Sequence, residues 1–520
     1  MVGLKGILVK PGSGTVNFTD THKRIHLMTH YHCQSILLLL MTSCITNVAV
    51  AAELRSLFPL QAYTQNVTYW FPENSPSYNQ PLVSAELQQR ALANLLAQYF
   101  GGMPTDASPW EERYVQTHLQ PSGAGSIALY IKRKLDDFDN AYRQKDIINY
   151  GSNYRPHGIQ WLDTIRNNIQ LVQFNKLHFQ PEQRGITITD TSVRVLPTFD
   201  PSFYSDTIAG EGYPFDNLQE THLHLATPIY SLGYTLDGLW TFILTPDVLG
   251  WVPSNSIAYT DKAFIHKWRQ AAHHKMAAII DDNVSLAGSK LSRIYKQGSI
   301  GSLFPQLDDQ HVLIPVVNDQ QQAVVAVAKV HPGKIHSLPF TATYRNFSSL
   351  IKRRLGKPYG WGGLYGHNDC SSELKNLMLP FGFWLPTHSS QQPSQGKIIE
   401  LSDQKPEDRL KFLASRGRPF MTLIHIKGHI MLYVGNTAEG HPLTFQNIWG
   451  LSPADRSRRA IIGEAVLFPL LLSYPEDKSL ASLAAGAQFQ ISYLDQPTYL
   501  DELSTKENGI HPMRVGNSKL

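Results

Sequence analysis

Three features are scarce in this chain of 520 residues: cysteine, long apolar runs and blocks of a single charge. The chain has 46 Lys and Arg against 42 Asp and Glu, which leaves a formal net charge of only +4. The basic clusters at 352–354 and 456–459 are too small to form a surface for nucleic acid or anionic lipid, so we expect neither as a partner. A chain of this length exceeds what one hydrophobic core can organise, which predicts several domains.

The longest apolar run lies near the N-terminus. Residues 35–41 (SILLLLM) are apolar, but polar residues end the run well short of the about 20 that a membrane-spanning helix needs. Small residues at 48–52 (VAVAA) follow, which is the pattern of a secretory signal peptide. We predict residues 1–52 as a signal segment, with Met28 as an alternative start. The protein would then be exported to the periplasm or cell envelope without an integral membrane span, and Cys44 would be the acylated residue if the signal were of the lipoprotein type.

Cysteine occurs three times, at Cys33, Cys44 and Cys370. Cleavage of the signal segment would remove the first two and leave one thiol that has no partner for a disulfide. An unpaired thiol in an exported protein is either a buried structural group or a nucleophile. The residues around Cys370 decide between these interpretations.

A loop rich in glycine and polar residues precedes Cys370, and an apolar helix pattern over 372–381 follows it. Asp369 is a residue type that caps helices, so the pattern places Cys370 at a helix N-terminus. Free N–H groups and the positive end of the helix dipole stabilise a thiolate there, and the same N–H groups can bind an oxyanion. We therefore interpret Cys370 as a nucleophile.

A thiol nucleophile needs a base, and His429 has the most informative surroundings of the 21 histidines. It opens a predicted strand over 430–435 that ends in a turn, and 442–450 is predicted as the partner strand. The hairpin would bring a polar side chain beside the imidazole and fix its tautomer. The candidates for that side chain are Gln446, which we favour, His441 and Asn447. His367 and His388 are weaker candidates for the base because neither lies in a strand pattern.

Three short motifs occur in order: YGWGG at 359–363, DCSS at 369–372 and GHI at 428–430. Together they resemble the NlpC-type family of papain-like cysteine endopeptidases. The resemblance implies that Cys370 is the nucleophile, His429 the general base and Gln446 the orienting residue, where family members often have His. It implies cleavage of the bond between γ-D-glutamate and a diamino acid such as diaminopimelate, in peptidoglycan stem peptides or muropeptides, without a metal or cofactor.

The same resemblance implies a set of residues that bind substrate. Tyr359 would lie beside the oxyanion, and Asp369 would receive the free amine of an N-terminal L-alanine, although a packing Tyr and a capping Asp remain alternatives. A loop at 210–217 would narrow the cleft. The full set of expected binding residues is Tyr359, Trp361, Asp369, Ser371, Glu211 and Tyr213.

The predicted fold is multidomain, with a helical N-terminal domain, two small all-β SH3-like barrels and an α+β papain-like catalytic domain. The boundaries are 53–180 for the helical stabilising domain, 181–262 and 263–335 for the barrels, 336–470 for the catalytic domain and 471–520 for a polar C-terminal extension. Strands of the second barrel are expected at 279–284 and 312–317. The oligomeric state is left open, with a monomer as the simplest expectation.

Two other functions fit parts of the pattern. One is a scaffold that binds the cell wall through its barrels and has little or no peptidase activity, although an intact Cys370 and His429 argue against it. The other is an acyltransferase, because an amine can attack a thioester in place of water. His222 and His224 have the spacing of metal ligands, but no cysteine or acidic cluster accompanies them, and we expect no metal.

Overall fold

The computed structural model describes residues 54–102, 107–119, 126–143, 147–288 and 294–499. The predicted signal segment at 1–52, with Met28, Cys33 and Cys44, lies outside the described residues. Within the described ranges, no helix has the length and apolar character that crossing a membrane requires.

The N-terminal region is mainly helical, as predicted. Its elements are β1 (Arg55–Leu57), α1 (Val67–Trp70), α2 (Ala85–Phe100), α3 (Glu112–Leu119), α4 (Ile127–Asp136) and α5 (Ile159–Ile169). Helix α2 has an N-cap at Ser84, whose hydroxyl accepts a hydrogen bond from the Leu87 N–H at 3.1 Å. The helix ends at Gly101, whose φ of 69° suits glycine.

The first β unit contains β2 (Arg184–Thr187), β3 (Thr191–Arg194), β4 (Gln219–Leu223), β5 (Pro228–Tyr234), β6 (Trp240–Leu244), β7 (Leu249–Pro253) and β8 (Ile257–Tyr259). They form one sheet in the order β4-β3-β7-β6-β5-β2-β8. The turn between β5 and β6 contains Gly238, which has a φ of 70°. Trp240 and Trp251 are buried in the core of this unit.

Helix α6 (Lys262–His274) leads into the second β unit. Its strands are β9 (Met276–Ile279), β10 (Val284–Gly288), β11 (Ile294–Gly298), β12 (Leu303–Pro305), β13 (His311–Val317), β14 (Ala323–Lys329) and β15 (Ile335–Ser337). The expectation of one strand over 279–284 is wrong. Residues 281–283 connect two strands, and Asn283 has a φ of 54°, which a continuous strand does not allow.

The catalytic region begins with α7 (Tyr344–Arg354) and α8 (Cys370–Met378). It continues with β16 (Lys397–Glu400), α9 (Pro406–Arg416), β17 (Thr422–Ile426), β18 (His429–Asn436), β19 (Pro442–Leu451), β20 (Arg459–Pro469) and β21 (Phe489–Tyr493). One seven-stranded sheet has the order β1-β20-β19-β18-β17-β21-β16. Helix α8 packs on this sheet through apolar side chains that include Leu374 and Leu377, which share a core with Ile430 and Phe445.

The sheet extends beyond the predicted limits of the catalytic domain. Strand β21, which lies in the segment expected to be a polar extension, pairs with both β17 and β16. Strand β1, from the other end of the described chain, adds to the opposite edge in parallel with β20. The sheet therefore requires residues from outside 336–470, and the segment that follows Leu470 is folded as far as the structure describes it.

Candidate active site

Cys370 is the first residue of α8, and Asp369 caps that helix. The Asp369 Oδ1 atom accepts hydrogen bonds from the Ser372 N–H at 2.8 Å and from the Ser372 hydroxyl at 2.7 Å. The same hydroxyl accepts a bond from the Asp369 N–H at 2.8 Å, which completes a capping box. The predicted helix N-terminus is confirmed, and it leaves the first N–H groups of α8 directed towards the thiol, which is 7% exposed.

The ionisation of the thiol differs from the expectation that the helix N-terminus would favour a thiolate. Burial, followed by the negative charge of Asp369, raises the pKa of Cys370 to about 12. Backbone hydrogen bonds from Ile430, Ser371 and Cys370 itself oppose this shift and do not overcome it. The resting thiol is therefore neutral, and it becomes a strong nucleophile only when a base takes its proton.

His429 opens β18, beside the N-terminus of α8. The β17–β18 hairpin turns tightly, since Ile426 pairs with His429 and Gly428 in the turn has a φ of 78°. Because the N–H of the next residue, Ile430, bonds to the Cys370 thiol, the hairpin places the start of β18 against the nucleophile. Burial lowers the pKa of His429 to about 4, and the hydrogen bond that its Nε2–H donates to Gln446 only partly offsets this effect. The imidazole is therefore neutral near pH 7.

The partner of His429 is Gln446, a fully buried residue of β19. The Oε1 atom of Gln446 lies 2.7 Å from His429 Nε2. The Gln446 amide donates to the Thr444 hydroxyl at 2.9 Å, and that hydroxyl donates to the Phe468 carbonyl at 2.8 Å. A carbonyl can only accept, so the direction of the whole chain is fixed and Gln446 must present its oxygen to the imidazole. His429 consequently carries its hydrogen on Nε2 and keeps the Nδ1 lone pair free to accept a proton.

The two other candidates for the orienting residue lie elsewhere. His441 is exposed and follows the turn at the far end of the β18–β19 hairpin, opposite to the end that holds His429. Asn447 donates to the Asn368 carbonyl at 2.9 Å instead of contacting the imidazole. Among the described residues, Gln446 is the one candidate of the three that forms a hydrogen bond with His429.

Tyr359 lies beside the thiol. Burial, followed by the charges of Cys370 and Asp369, raises the pKa of its phenol well above the usual value. The hydroxyl therefore stays protonated and can donate a hydrogen bond close to Cys370. Its backbone N–H donates to the Gly463 carbonyl of β20 at 2.8 Å, which fixes the loop against the catalytic sheet.

An aromatic cluster surrounds Tyr359 and includes a residue from the first β unit. The ring of Phe215 lies 5.3 Å from Trp361, 5.8 Å from Trp449 and 6.4 Å from Tyr359, measured between centroids. Sequence reasoning identified the 210–217 loop but not Phe215, and it passed over Trp449. Trp449 could have been found from the sequence, because it lies three residues after Gln446 in the strand that became β19.

The glycine-rich loop at 360–363 forms hydrogen bonds both to the first β unit and to the N-cap of α8. The Gln219 side chain of β4 donates to the Gly362 carbonyl at 2.8 Å, and the Gly362 N–H donates to Asp369 Oδ2 at 3.1 Å. A Cβ on Gly362 would lie 2.8 Å from the Gln219 carbonyl oxygen, so the close approach requires glycine. Both carboxylate oxygens of Asp369 therefore have partners within the protein. Ser371 is also engaged, since its hydroxyl donates to Asp369 Oδ1 at 3.1 Å.

Buried ion pairs join α8 to both β units. Lys375 lies 3.0 Å from Asp247 of the first unit. Arg354 of α7 binds Glu373 of α8 through two nitrogens, at 2.7 and 2.9 Å, and also contacts Asp282 of the second unit at 2.9 Å. These charges are paired and shielded from water, so removal of one partner would lower the stability of the fold. They fix the helix that carries Cys370.

The expected binding residues of the 210–217 loop have different environments. Glu211 is partly buried, whereas Tyr213 is 56% exposed. Burial raises the pKa of Glu211, and the charge of Arg459 opposes that shift. The weaker candidate for the base, His388, lies 3.3 Å from Glu220 of β4.

A cavity of about 820 Å³ lies between the β units and α8, and neither Cys370 nor His429 lines it. His222 and His224 line it, but they have separate partners: His222 lies 3.7 Å from Asp190, and His224 Nε2 lies 3.0 Å from Asn376 Oδ1. No group of three or more His, Cys, Asp or Glu in the described ranges could hold a metal ion.

Comparison with known proteins adds three findings. A profile of the SH3 domain (SH3b1 type) matches residues 201–253, within the first β unit. The gamma-D-glutamyl-L-lysine dipeptidyl-peptidase of Bacillus subtilis (strain 168) is 37% identical over 82 residues, which are 16% of this chain and 26% of that protein. The chain thus spans about a quarter of the length of this curated relative.

The third finding is structural. An NlpC/P60 endopeptidase from Photobacterium damselae subsp. piscicida matches with a TM-score of 0.72 at 28% identity, over 84% of this chain and 98% of that chain. An NlpC/P60 family protein from Bacillus cereus covers 57% of this chain and 98% of its own, at 12% identity and a TM-score of 0.37, which is too low to support an inference. The first of these similarities extends over most of the described chain and not only over the catalytic sheet.

Proposed function

The chain belongs to the NlpC/P60 family, and from that premise we propose that it is a cysteine peptidase that hydrolyses the γ-D-glutamyl–diamino acid bond of peptidoglycan peptides. Its substrates would be muropeptides or stem peptides with a free N-terminal L-alanine, and diaminopimelate would be the diamino acid. The observation that carries the proposal is the arrangement of Cys370 at the N-terminus of α8, His429 at the start of β18 and Gln446 at 2.7 Å from its Nε2.

The first step follows from the resting protonation states. Thiol and imidazole are both neutral, so we expect the proton of Cys370 to move to His429 Nδ1 as the sulfur attacks the carbonyl carbon. The Gln446 oxygen supports this transfer, because it holds the Nε2–H bond and stabilises the imidazolium that forms. The tetrahedral intermediate then carries a negative oxygen.

The oxyanion has two sources of donors. One is the backbone N–H groups at the start of α8, and the other is the protonated hydroxyl of Tyr359. Collapse of the intermediate transfers the proton from His429 to the leaving amine and leaves a thioester on Cys370. Water, deprotonated by His429, hydrolyses the thioester and regenerates the thiol.

The test is turnover of the tripeptide L-Ala-γ-D-Glu-diaminopimelate by the purified chain, with products identified by mass spectrometry. We expect free diaminopimelate and the dipeptide L-Ala-γ-D-Glu, and a loss of at least about a thousandfold in Cys370→Ala. Turnover that survives in Cys370→Ala would contradict the proposal. Binding of peptidoglycan without turnover would favour a scaffold, and transfer of the acyl group to an added amine would favour an acyltransferase.

A second substrate tests the requirement for a free amine. The same tripeptide with an acetylated N-terminus removes the positive charge that Glu211 and Asp369 are proposed to recognise. We expect the acetylated tripeptide to be cleaved much more slowly. Equal cleavage of the two peptides would exclude the recognition role of both carboxylates.

A further inference from the structure

Asn447 is a fully buried amide on the face of β19 that packs against α8. It follows Gln446 in the strand and therefore lies on the opposite face, the one on which Phe445 shares an apolar core with Leu374 of α8. Asn is disfavoured in strands, and burial of an amide is unfavourable unless hydrogen bonds compensate for it. The partners of Asn447 therefore indicate what the side chain does.

The amide of Asn447 joins β19 to two groups near the N-terminus of α8. Its Nδ2 atom donates to the Asn368 carbonyl at 2.9 Å and to Glu373 Oε2 at 3.3 Å. Because a backbone carbonyl can only accept, the amide must direct its nitrogen to Asn368. The Oδ1 atom is buried and has no hydrogen-bond partner among the described residues. The polar contacts of this side chain are thus made through its nitrogen.

Asn368 lies where three segments of the catalytic region meet. Its carbonyl also accepts the Gly360 N–H at 3.0 Å, in the loop that follows Tyr359. Its side chain donates to Glu373 Oε2 at 3.2 Å, and Cys370 lies two residues further along the chain. The hydrogen bond from β19 to Asn368 therefore attaches the strand to the segment that carries the nucleophile and to the loop that carries Tyr359.

Glu373 fixes this contact from the side of α8. Its side chain is buried, and Arg354 binds both of its oxygens, at 2.7 and 2.9 Å. Arg354 in turn contacts Asp282 of the second β unit at 2.9 Å. Since one oxygen of Glu373 accepts from both Asn368 and Asn447, the same paired carboxylate holds the two amides together.

The base and the nucleophile are connected through this contact. Gln446 and Asn447 are consecutive residues; the first accepts from His429, and the second binds residue 368. We propose that Asn447 is a positioning residue, which holds the segment of Cys370 at the distance from His429 that proton transfer requires. This inference rests on the proposed function, to which the proton transfer belongs. A displacement of about 1 Å between reacting groups lowers a rate by about a hundredfold.

The test is hydrolysis of L-Ala-γ-D-Glu-diaminopimelate by Asn447→Leu, which removes the amide and keeps a side chain of similar volume. We expect kcat to fall by about tenfold to a hundredfold while KM stays within about twofold, because the geometry of attack changes and the substrate contacts do not. Both constants are measured where circular dichroism shows the variant to be folded.

Thr422→Val is the matched control, because it also replaces a buried polar side chain of the catalytic sheet by an apolar one. Thr422 accepts the Arg418 N–H at 2.8 Å and lies at the end of the β17–β18 hairpin opposite to His429. The control should be less stable than the wild type and should keep its kcat. A wild-type kcat in Asn447→Leu, a change in KM alone, or an equal loss of kcat in Thr422→Val would each overturn the inference.

Asn447→Asp gives a readout that a purely structural role would not change. A buried carboxyl group beside Glu373 has a raised pKa, and its protonated form can donate to the Asn368 carbonyl as the amide does. We expect kcat of this variant, relative to the wild type, to be highest at low pH and to fall as the new carboxyl group ionises. Asn447→Leu should be impaired at every pH between 5 and 9, and the same pH dependence in both variants would contradict the proposed hydrogen bond.

Hydrogen exchange followed by mass spectrometry needs no turnover. We expect the segment that contains Gly360 and Asn368 to exchange faster in Asn447→Leu than in the wild type, and at the wild-type rate in Thr422→Val. If the wild type cleaves no tripeptide but exchange changes in this pattern, the proposed function fails and the positioning of the segment by Asn447 stands. If the wild type cleaves the tripeptide and Asn447→Leu matches it in kcat, the inference fails and the proposed function stands.

Discussion

His429 Nε2 lies 2.7 Å from Gln446 Oε1, and the imidazole N–H is the donor of this hydrogen bond. The direction is fixed because the Gln446 amide donates to Thr444, whose hydroxyl donates to the Phe468 carbonyl. This neutral partner determines which nitrogen is free without adding a charge beside the imidazole. Burial lowers the pKa of His429 to about 4, and the hydrogen bond to Gln446 and the charge of Asp369 offset this shift only in part.

Gln446→Glu should raise the pKa of His429. A carboxylate at this distance stabilises the imidazolium, so the base would be protonated at higher pH than in the wild type. We expect the acid limb of kcat/KM to move to higher pH by about one to two units. The measurement is a pH profile of tripeptide hydrolysis. Gln446→Asn is the control: its side chain is too short to hold the imidazole, and it should lower kcat without raising the pKa. An acid limb at the same pH in Gln446→Glu as in the wild type would contradict the hydrogen bond between residue 446 and His429.

Cys370 should react slowly with iodoacetamide near neutral pH. Its pKa is about 12, so the thiolate fraction, and with it the alkylation rate, should rise with pH well beyond 8.5, the usual value for a free cysteine. The measurement is the alkylation rate between pH 5 and 10 in the absence of substrate, with adduct formation followed by mass spectrometry. Rapid alkylation at pH 6 would instead indicate a preformed thiolate–imidazolium pair and would contradict the neutral resting state.

Asp247→Asn should destabilise the protein. The carboxylate accepts from Lys375 and from the Thr387 N–H at 2.6 Å, and its removal leaves a buried ammonium without a counter-charge. We expect a loss of about 3 kcal/mol or more in the free energy of unfolding, measured by urea denaturation. Glu86→Gln is a suitable control because it breaks an exposed ion pair with Arg90, whose contribution should be about 0.5 kcal/mol or less. Similar losses in both variants would contradict the structural role of the buried pair.

Local patterns predicted local structure well. Asp369 caps α8 as predicted, because capping is a property of single residues. The β18–β19 hairpin, which brings His429 to Gln446, also followed from neighbouring residues. Strand β21 was missed because its five residues resemble many polar-flanked apolar segments, and its place between β17 and β16 depends on long-range pairing.

The same limit applies to the site. Cys370 and His429 could be identified from motifs, whereas Phe215 reaches the site only through the packing of the first β unit. The raised pKa of Cys370 depends on burial and on the charge of Asp369, which the helix position alone does not reveal.

Tyr359→Phe should separate the two functions that the Tyr359 side chain can have. The variant keeps the ring, which packs 5.9 Å from Trp449, and removes only the hydroxyl near the thiol. If the hydroxyl stabilises the oxyanion, kcat should fall by about a hundredfold with little change in KM, because the interaction is made mainly in the transition state. Phe215→Leu is the matched control: it alters the aromatic wall without touching an oxyanion donor, and should raise KM more than it lowers kcat. If Tyr359→Phe changes KM alone, the residue is a packing group, and the N–H groups of α8 must stabilise the oxyanion without it.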